Sequence, residues 1–340
     1  MSHRNVTLLL PGFGVNGSLG QDEALALFVF SEDLDRQPWQ AQLAHVLGIE
    51  TEGGAYLPGA SLGLLEVDAA SLPAKVIGQD VVRADPICLK ADRDSATLLS
   101  PDQLNLSDDD AAILIEALNA FVAEDGLTFF TRGPKEWYLS GWSAESLKSY
   151  PPSFLANRKA SAFLPEGEGS AHWRRLMTEI QMLLHTHPVN QQREQRGLMP
   201  INSVWFWGGA PLPQRKDEQQ DIRVFSDELQ AQSFARQLGI THRPLTEAVL
   251  ADQNAGKVVI DLSLIKAWLN DDGQQLDSEL ARIAQQWLQP LSLQVSNGQL
   301  EQVQVLTEDG LQGVCNAHTI AAIEKKPDRL MKRLVNFFRR

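Results

Sequence analysis

Cysteine is nearly absent from this sequence, with Cys88 and Cys315 the only two. Two thiols exclude a disulfide framework and, by themselves, a zinc cluster. Long apolar runs are missing as well. No stretch approaches the roughly 20 apolar residues that a membrane-crossing helix needs. The first apolar run, Val6 to Leu10, is too short for a secretory leader and reads as an opening strand, so the expected compartment is the cytoplasm. Positive charge is also short, at 30 Lys and Arg against 43 Asp and Glu, a net charge of -13 that disfavours a general role on nucleic-acid phosphates. Pro11-Gly12-Phe13-Gly14 follows the first strand, but no G-x-G-x-x-G or P-loop spacing continues from it. What remains is an ordinary globular composition, 43% hydrophobic and 21% charged over 340 residues. That length allows one large domain or two smaller ones.

The organising stretch is Ile180 to Gly209, in which a helix meets Pro188, a short polar helix follows, and a buried strand ends in two glycines. Pro188 lacks an amide proton and stops the first helix. Asn190 is expected to cap the second, and Gly197 to close it. Ser203 to Trp207 lacks polar alternation, as in a strand covered on both faces. Gly208 and Gly209 lie at its carboxyl end, where open α/β sheets place ligands. His185, His187, Asn190, Arg193 and Arg196 are expected near that strand end, either as an anion pocket or as helix caps and solvated charges.

Elsewhere Pro38 to Leu47 reads as a helix. Ser61, just after Pro58-Gly59, reads as either a helix cap or a nucleophile. Asp85, Asp92, Arg93 and Asp94 stand in and beside two strand-like runs between Val81 and Leu99, as a cation site or a surface charge network. Ser107 with Asp108, Asp109 and Asp110 reads as a capped helix start, and the helix behind it is expected to bury Ile113, Leu114, Leu118 and Phe121. Leu127 to Thr131 and Trp137 to Leu139 pair as strands. Beyond a charged linker come strands at Ile222 to Phe225 and Lys257 to Leu262, helices over Glu228 to Leu238 and Ser278 to Leu288, and a late strand from Gln299 to Thr307, whose Glu301, Gln302 and Gln304 suggest an edge. From Lys325 to Arg340 seven Lys and Arg face Asp328 alone. That basic amphipathic tail reads as a contact for an acidic protein or anionic membrane surface, or as a segment folding back on its own acidic body.

The segments RADPICLKADRD, LSDDDAAILIEALN, WYL, YPPSFLANRKASAFLP and LMTEIQMLLHTHPVNQQREQRGLMPINSVWFWGG occur in that order. Together they resemble the archaeal-type, cofactor-independent phosphoglycerate mutases of the alkaline phosphatase superfamily, with a proteobacterial phosphoglycerate mutase-like or regulatory branch the nearest in kind. The resemblance implies an α/β fold: an alkaline phosphatase-like three-layer α/β/α core, residues 1–79 and 151–324, a smaller inserted α/β domain at 80–150, and the tail at 325–340. It also implies a two-metal site built from a first-strand aspartate, a serine nucleophile, and Asp and His ligands, with Mn or Mg as the divalent metal.

Against that pattern the first-strand position reads Pro11, and Ala60 stands where the serine is implied, with Ser61 one place late. Val258 to Ile265 supplies only Asp261 in place of an Asp-x-x-x-His ligand motif. The substrate-side block is retained as Asp85, Asp92, Arg93, His187, Asn190, Arg193, Arg196 and Asn202. The reading is a catalytically degenerate mutase homologue with a regulatory or ligand-binding role, holding a small phosphorylated or carboxylated metabolite. Two alternatives stand beside it: an active metal-dependent mutase or phosphatase with rearranged ligands such as Asp261 and His185, and an interaction protein acting through its tail.

Overall fold

A computed structural model describes residues 4–13, 27–31, 35–49, 57–64, 72–76, 79–92, 95–141, 147–211, 222–246, 248–251, 256–270 and 272–325. Two compact units divide the chain, one of residues 1–50 with 214–340, the other of residues 51–213. Both are mixed α/β.

The first unit is built on a sheet of seven described strands. Five of them run parallel, in the order β11 (Gln302–Leu306), β1 (Asn5–Leu9), β10 (Lys257–Ile260), β8 (Arg223–Phe225) and β9 (Thr241–Arg243). Antiparallel β12 (Gln312–Asn316) and β2 (Val29–Ser31) extend it beyond β11. Leu8 pairs with Val259 on one side and Val305 on the other, and all three are fully buried, as the apolar run of β1 demands. The helices are α1 (Trp39–Val46), α7 (Leu229–Gln237), α8 (Ala248–Ala251), α9 (Ser263–Leu269), α10 (Gly273–Ile283), α11 (Gln289–Ser296) and α12 (Ala317–Lys325). Helices α10 and α11 are joined by a π-bulge over Ala284–Leu288. Pro290 supplies its cause, since the ring offers no N–H to continue the i−4 ladder.

The second unit carries an antiparallel sheet centred on β3 (Val81–Ala91). β4 (Ala96–Leu99), β6 (Trp137–Ser140) and β7 (Ser203–Trp207) all pair with β3, and β5 (Thr128–Thr131) pairs with β6. Its helices are α2 (Gly59–Leu64), α3 (Asp108–Phe121), α4 (Pro152–Leu155), α5 (Ser170–His185) and α6 (Pro188–Gln195). Every residue of β7 is buried, and Trp173 of α5 packs on Phe206 with ring centroids 4.9 Å apart. Helix α5 and strand β7 thus complete the sheet begun by β3. The division by contacts falls at 50/51 and 213/214.

Local chemistry placed most elements, and three expectations need correction. Ser107 caps α3 by accepting from the Asp110 N–H, as read, yet Ile113 and Phe121 are exposed while Ala111 and Ile115 are buried with Leu114 and Leu118. The buried stripe is rotated by one residue from the one expected. Asn190 does not cap α6; His187 does, with Pro188 in the first turn. Strand β11 lies inside the sheet between β1 and β12, not at an edge. Its Val303 and Val305 are fully buried while Gln302 and Gln304 are half-buried on the other face, so the glutamines report a face and not an open ladder. Among the described residues no helix is long and apolar enough to cross a membrane. The basic tail, beyond Lys325, lies outside the described residues.

Candidate functional site

Three polar clusters hold most of the described residues that the sequence singles out. The first joins α6 to α3. Arg193 is fully buried, with Nε donating to the Met199 carbonyl at 3.0 Å and Nη1 to Asp110 Oδ2 at 3.0 Å and to the Asn105 carbonyl at 3.4 Å, while Nη2 donates to the Leu104 carbonyl. Arg196, half-exposed, adds a second bond to Asp110 Oδ2 at 3.2 Å. Asn190 donates to the carbonyls of Leu184 and Ile201 and accepts from the Ile201 N–H, each at 2.8 Å. Asn202 bonds both backbone groups of Leu89, at 2.7 and 3.0 Å. His187 Nδ1 accepts from the Val189 N–H at 3.3 Å, and partial burial lowers the imidazole pKa. His185 ends α5 in the open, in the last turn of the helix.

These residues meet at the amino end of β7, not at its carboxyl end as expected. Five residues at about 3.3 Å each separate them from the paired glycines by roughly 17 Å. The bonds of Asn190, Arg193 and Asn202 run to the protein's own backbone and to Asp110, so the cluster ties helices to strands.

The second cluster lies at the carboxyl end of β7. Asp85 and Arg83 are both buried on β3, and Arg83 Nε donates to Asp85 Oδ1 at 2.9 Å, with Nη2 at 2.6 Å from the same oxygen. Arg83 Nη1 reaches Glu136 at 3.0 Å, and its guanidinium carbon lies 5.1 Å from the Tyr138 ring centre and 5.4 Å from that of Trp207. Trp207 Nε1 donates to Asp85 Oδ2 at 2.7 Å, and Tyr138 donates to Glu136. Burial raises the Asp85 and Tyr138 pKa values against the pull of Arg83. Beside this network the Ala60 N–H donates to the Gly208 carbonyl at 2.9 Å. A Cβ on Gly208, whose φ is +76°, would stand 2.9 Å from the Gly59 Cα and 3.0 Å from the Ala60 nitrogen. Gly208→Ala is therefore expected to cost about 2–4 kcal/mol, left-handed strain plus backbone overlap, measured by urea unfolding. A loss under about 0.5 kcal/mol would contradict this close approach.

Ser61 falls in α2, one residue after the fully buried Ala60, rather than at a cap, and its side chain is outside the described set. Asp92 is exposed at the far end of β3, seven positions from Asp85, with its N–H on the Ser95 carbonyl at 2.7 Å. Arg93 lies outside the described residues. The seven described ligand-side residues thus separate into the α6 knot, the Asp85 network and the exposed Asp92.

The third cluster forms where the parallel strands end. Asp261 follows β10 and is buried; its Oδ1 accepts from the Ser263 N–H at 3.1 Å, and Oδ2 from Arg282 Nη2 at 2.6 Å and Trp287 Nε1 at 3.1 Å. After β8, Asp227 accepts from the Leu245 N–H at 2.9 Å and Glu228 pairs with Lys266. After β11, Glu308 accepts from the Trp39 N–H at 2.9 Å. The turn after β1 is packed shut, because a Cβ on Gly12 would lie 2.8 Å from the Ile265 nitrogen. None of these partners was legible beforehand: Arg282 and Trp287 lie 21 and 26 positions from Asp261 on a helix that carries no ligand motif.

Burial alone would raise the Asp261 pKa, but hydrogen bonds from Arg282 and Ser263, with the Arg282 charge, outweigh it and hold the carboxyl below its ordinary range. A depressed carboxyl stabilises fully above its unfolded pKa of about 3.9 and loses that contribution as pH falls through the folded value. Wild type is expected to exceed Asp261→Asn in stability near neutrality, with the gap narrowing below about pH 4 in acid unfolding series. A gap unchanged down to that range would refute the pairing. The two thiols are inert by contrast, with burial pushing Cys88 and Cys315 up to about 11.

No protein-family model matches the chain. Among curated proteins, it is 24% identical over 181 residues to a protein of Geobacter sulfurreducens described as a probable 2,3-bisphosphoglycerate-independent phosphoglycerate mutase, covering 52% of this chain and 45% of that protein. It is 30% identical over 112 residues to the 2,3-bisphosphoglycerate-independent phosphoglycerate mutase of Methanosarcina barkeri, covering 32% of this chain and 28% of the mutase. The chain is homologous in part to these mutases. The matched stretch spans less than half the length of either relative. Among solved structures, a Pyrococcus horikoshii protein aligns at TM-score 0.48 and 10% identity over 93% of this chain and 88% of its own. The cofactor-independent phosphoglycerate mutase of Thermoplasma acidophilum aligns at 0.39 and 11% over 93% and 90%. Scores of that size carry no argument about activity.

Proposed function

We propose that this chain is a catalytically degenerate homologue of the cofactor-independent phosphoglycerate mutases, acting by binding rather than turnover. The observation that carries the reading is the engagement of the carboxylates where the parallel strands end. Asp261, Asp227, Glu228 and Glu308 each accept from a protein donor, and among the described residues no group of three or more His, Cys, Asp and Glu is placed to hold a metal. This donor set does not fit the two-cation arrangement implied by the mutase resemblance, and no chemical step is derived through such ions.

A second support comes from the position of the implied nucleophile. Ala60 carries no hydroxyl, is fully buried, and spends its N–H on Gly208. Among the described residues of the retained block, Arg196 and Asp92 are exposed and His187 and Asn202 half-buried. The Arg196 guanidinium, with the imidazole and amide as hydrogen-bonding groups, suits a small phosphorylated or carboxylated metabolite held without metal.

The test is a phosphoglycerate mutase assay with added manganese, run beside calorimetric titration with 3-phosphoglycerate as probe. Saturable binding without turnover, weakened by Arg196→Ala, supports the proposal. Manganese-dependent turnover that Ser61→Ala abolishes would replace it with an active enzyme of rearranged ligands.

A further inference from the structure

The Arg282 guanidinium lies among four oxygen acceptors. Nη2 is 2.6 Å from Asp261 Oδ2 and 2.8 Å from Ser263 Oγ, Nε is 2.6 Å from Glu279 Oε2, and Nη1 is 2.6 Å from Gln286 Oε1. Two carboxylates, a hydroxyl and an amide oxygen therefore converge on one cation. Their sources are the end of β10, the start of α9, the body of α10 and the π-bulge. Oxygen donors with two negative charges are the ligand type that hard divalent ions take. The resident cation here is instead covalently attached.

Its geometry also decides what else fits. A guanidinium spreads its N–H groups over a plane and satisfies acceptors in different directions. A divalent ion needs its oxygens drawn to about 2.0–2.6 Å from a single centre. With the oxygens fanned around three nitrogens, no such centre exists while Arg282 is present. The Trp287 indole adds a donor to Asp261 Oδ2 from within the π-bulge, at 3.1 Å.

We propose that Arg282 is a built-in cation, standing in electrostatically for a divalent metal at Asp261 and keeping such ions out. The inference rests on the binding-only reading above and names the residue responsible for it at this strand end.

The experiment is thermal unfolding of the full chain with and without millimolar MnCl2, for wild type, Arg282→Ala, and Arg282→Ala with Asp261→Asn. Wild type is expected to melt at the same temperature in both conditions. Arg282→Ala is expected to melt several degrees lower and to regain part of that loss with manganese, a recovery the second substitution removes. An Arg282→Ala protein melting like wild type would overturn the proposal. So would a manganese-induced rise in wild type that Asp261→Asn abolishes. If Arg282→Ala does not fold, electron paramagnetic resonance of bound Mn2+ in wild type against Asp261→Asn decides: equal binding supports the proposal, and loss in the variant overturns it. Mutase turnover that survives Asp261→Asn would sink the binding-only reading while leaving the role of Arg282 intact.

Discussion

Arg193→Met is expected to destabilise the 51–213 unit by about 3–5 kcal/mol, the usual cost of breaking a buried charge pair by removing one partner. The guanidinium is fully buried and serves Asp110 together with the carbonyls of Leu104, Asn105 and Met199. Methionine fills much of the stem's volume but returns none of those bonds, leaving buried acceptors unmatched. Arg196 remains on Asp110, so the carboxylate keeps one cation and the lower half of the range is the better estimate. At about 2–4 °C per kcal/mol for a domain of this size, the melting temperature should fall by about 10 °C. Calorimetry checks it. If Arg193 were kept to contact a ligand, the variant would melt normally and lose only binding.

The second large effect concerns Asp85. Asp85→Ala leaves the buried Arg83 with Glu136 alone and strips Trp207 Nε1 of its acceptor. A loss of about 3–5 kcal/mol is expected by the same reasoning. Removing both charges should cost less than removing one. Arg83→Met with Asp85→Val leaves no unpaired ion, and the double variant is expected to recover about 2 kcal/mol of the single loss, a coupling within the range for contacting residues. Additive losses in chemical denaturation would show that the two groups do not act as a pair.

Local signals carried the fold well. The cap at Ser107, the break at Pro188, the buried run of β7 and the hairpin of β5 with β6 are decided by residues within a few positions of one another. Failures came where the deciding partner was distant. The partners of Arg193 were out of reach of the sequence, because Asp110 and the carbonyls at 104 and 105 are more than eighty positions away. The partner of Asp261 was hidden for the same reason, Arg282 standing 21 positions away on α10. Gln302 and Gln304 suggested an edge because polarity marks which face is wet, while strand order depends on chains that pair from elsewhere. The misplaced pocket was an error of direction: residues preceding a strand gather at its start. Pro11 and Ala60, set against the pattern that the resemblance implies, needed no distant partner to be read, and the degenerate reading proposed above starts from them.

Crystals soaked in manganese and measured at the metal's absorption edge would test the central claim most directly. A retained mutase-like chain without its cations predicts no anomalous peak within bonding distance of Asp261, with Arg282 still on the carboxylate. A pair of peaks liganded by carboxylates and imidazoles at the ends of β1, β8 and β10 would contradict it.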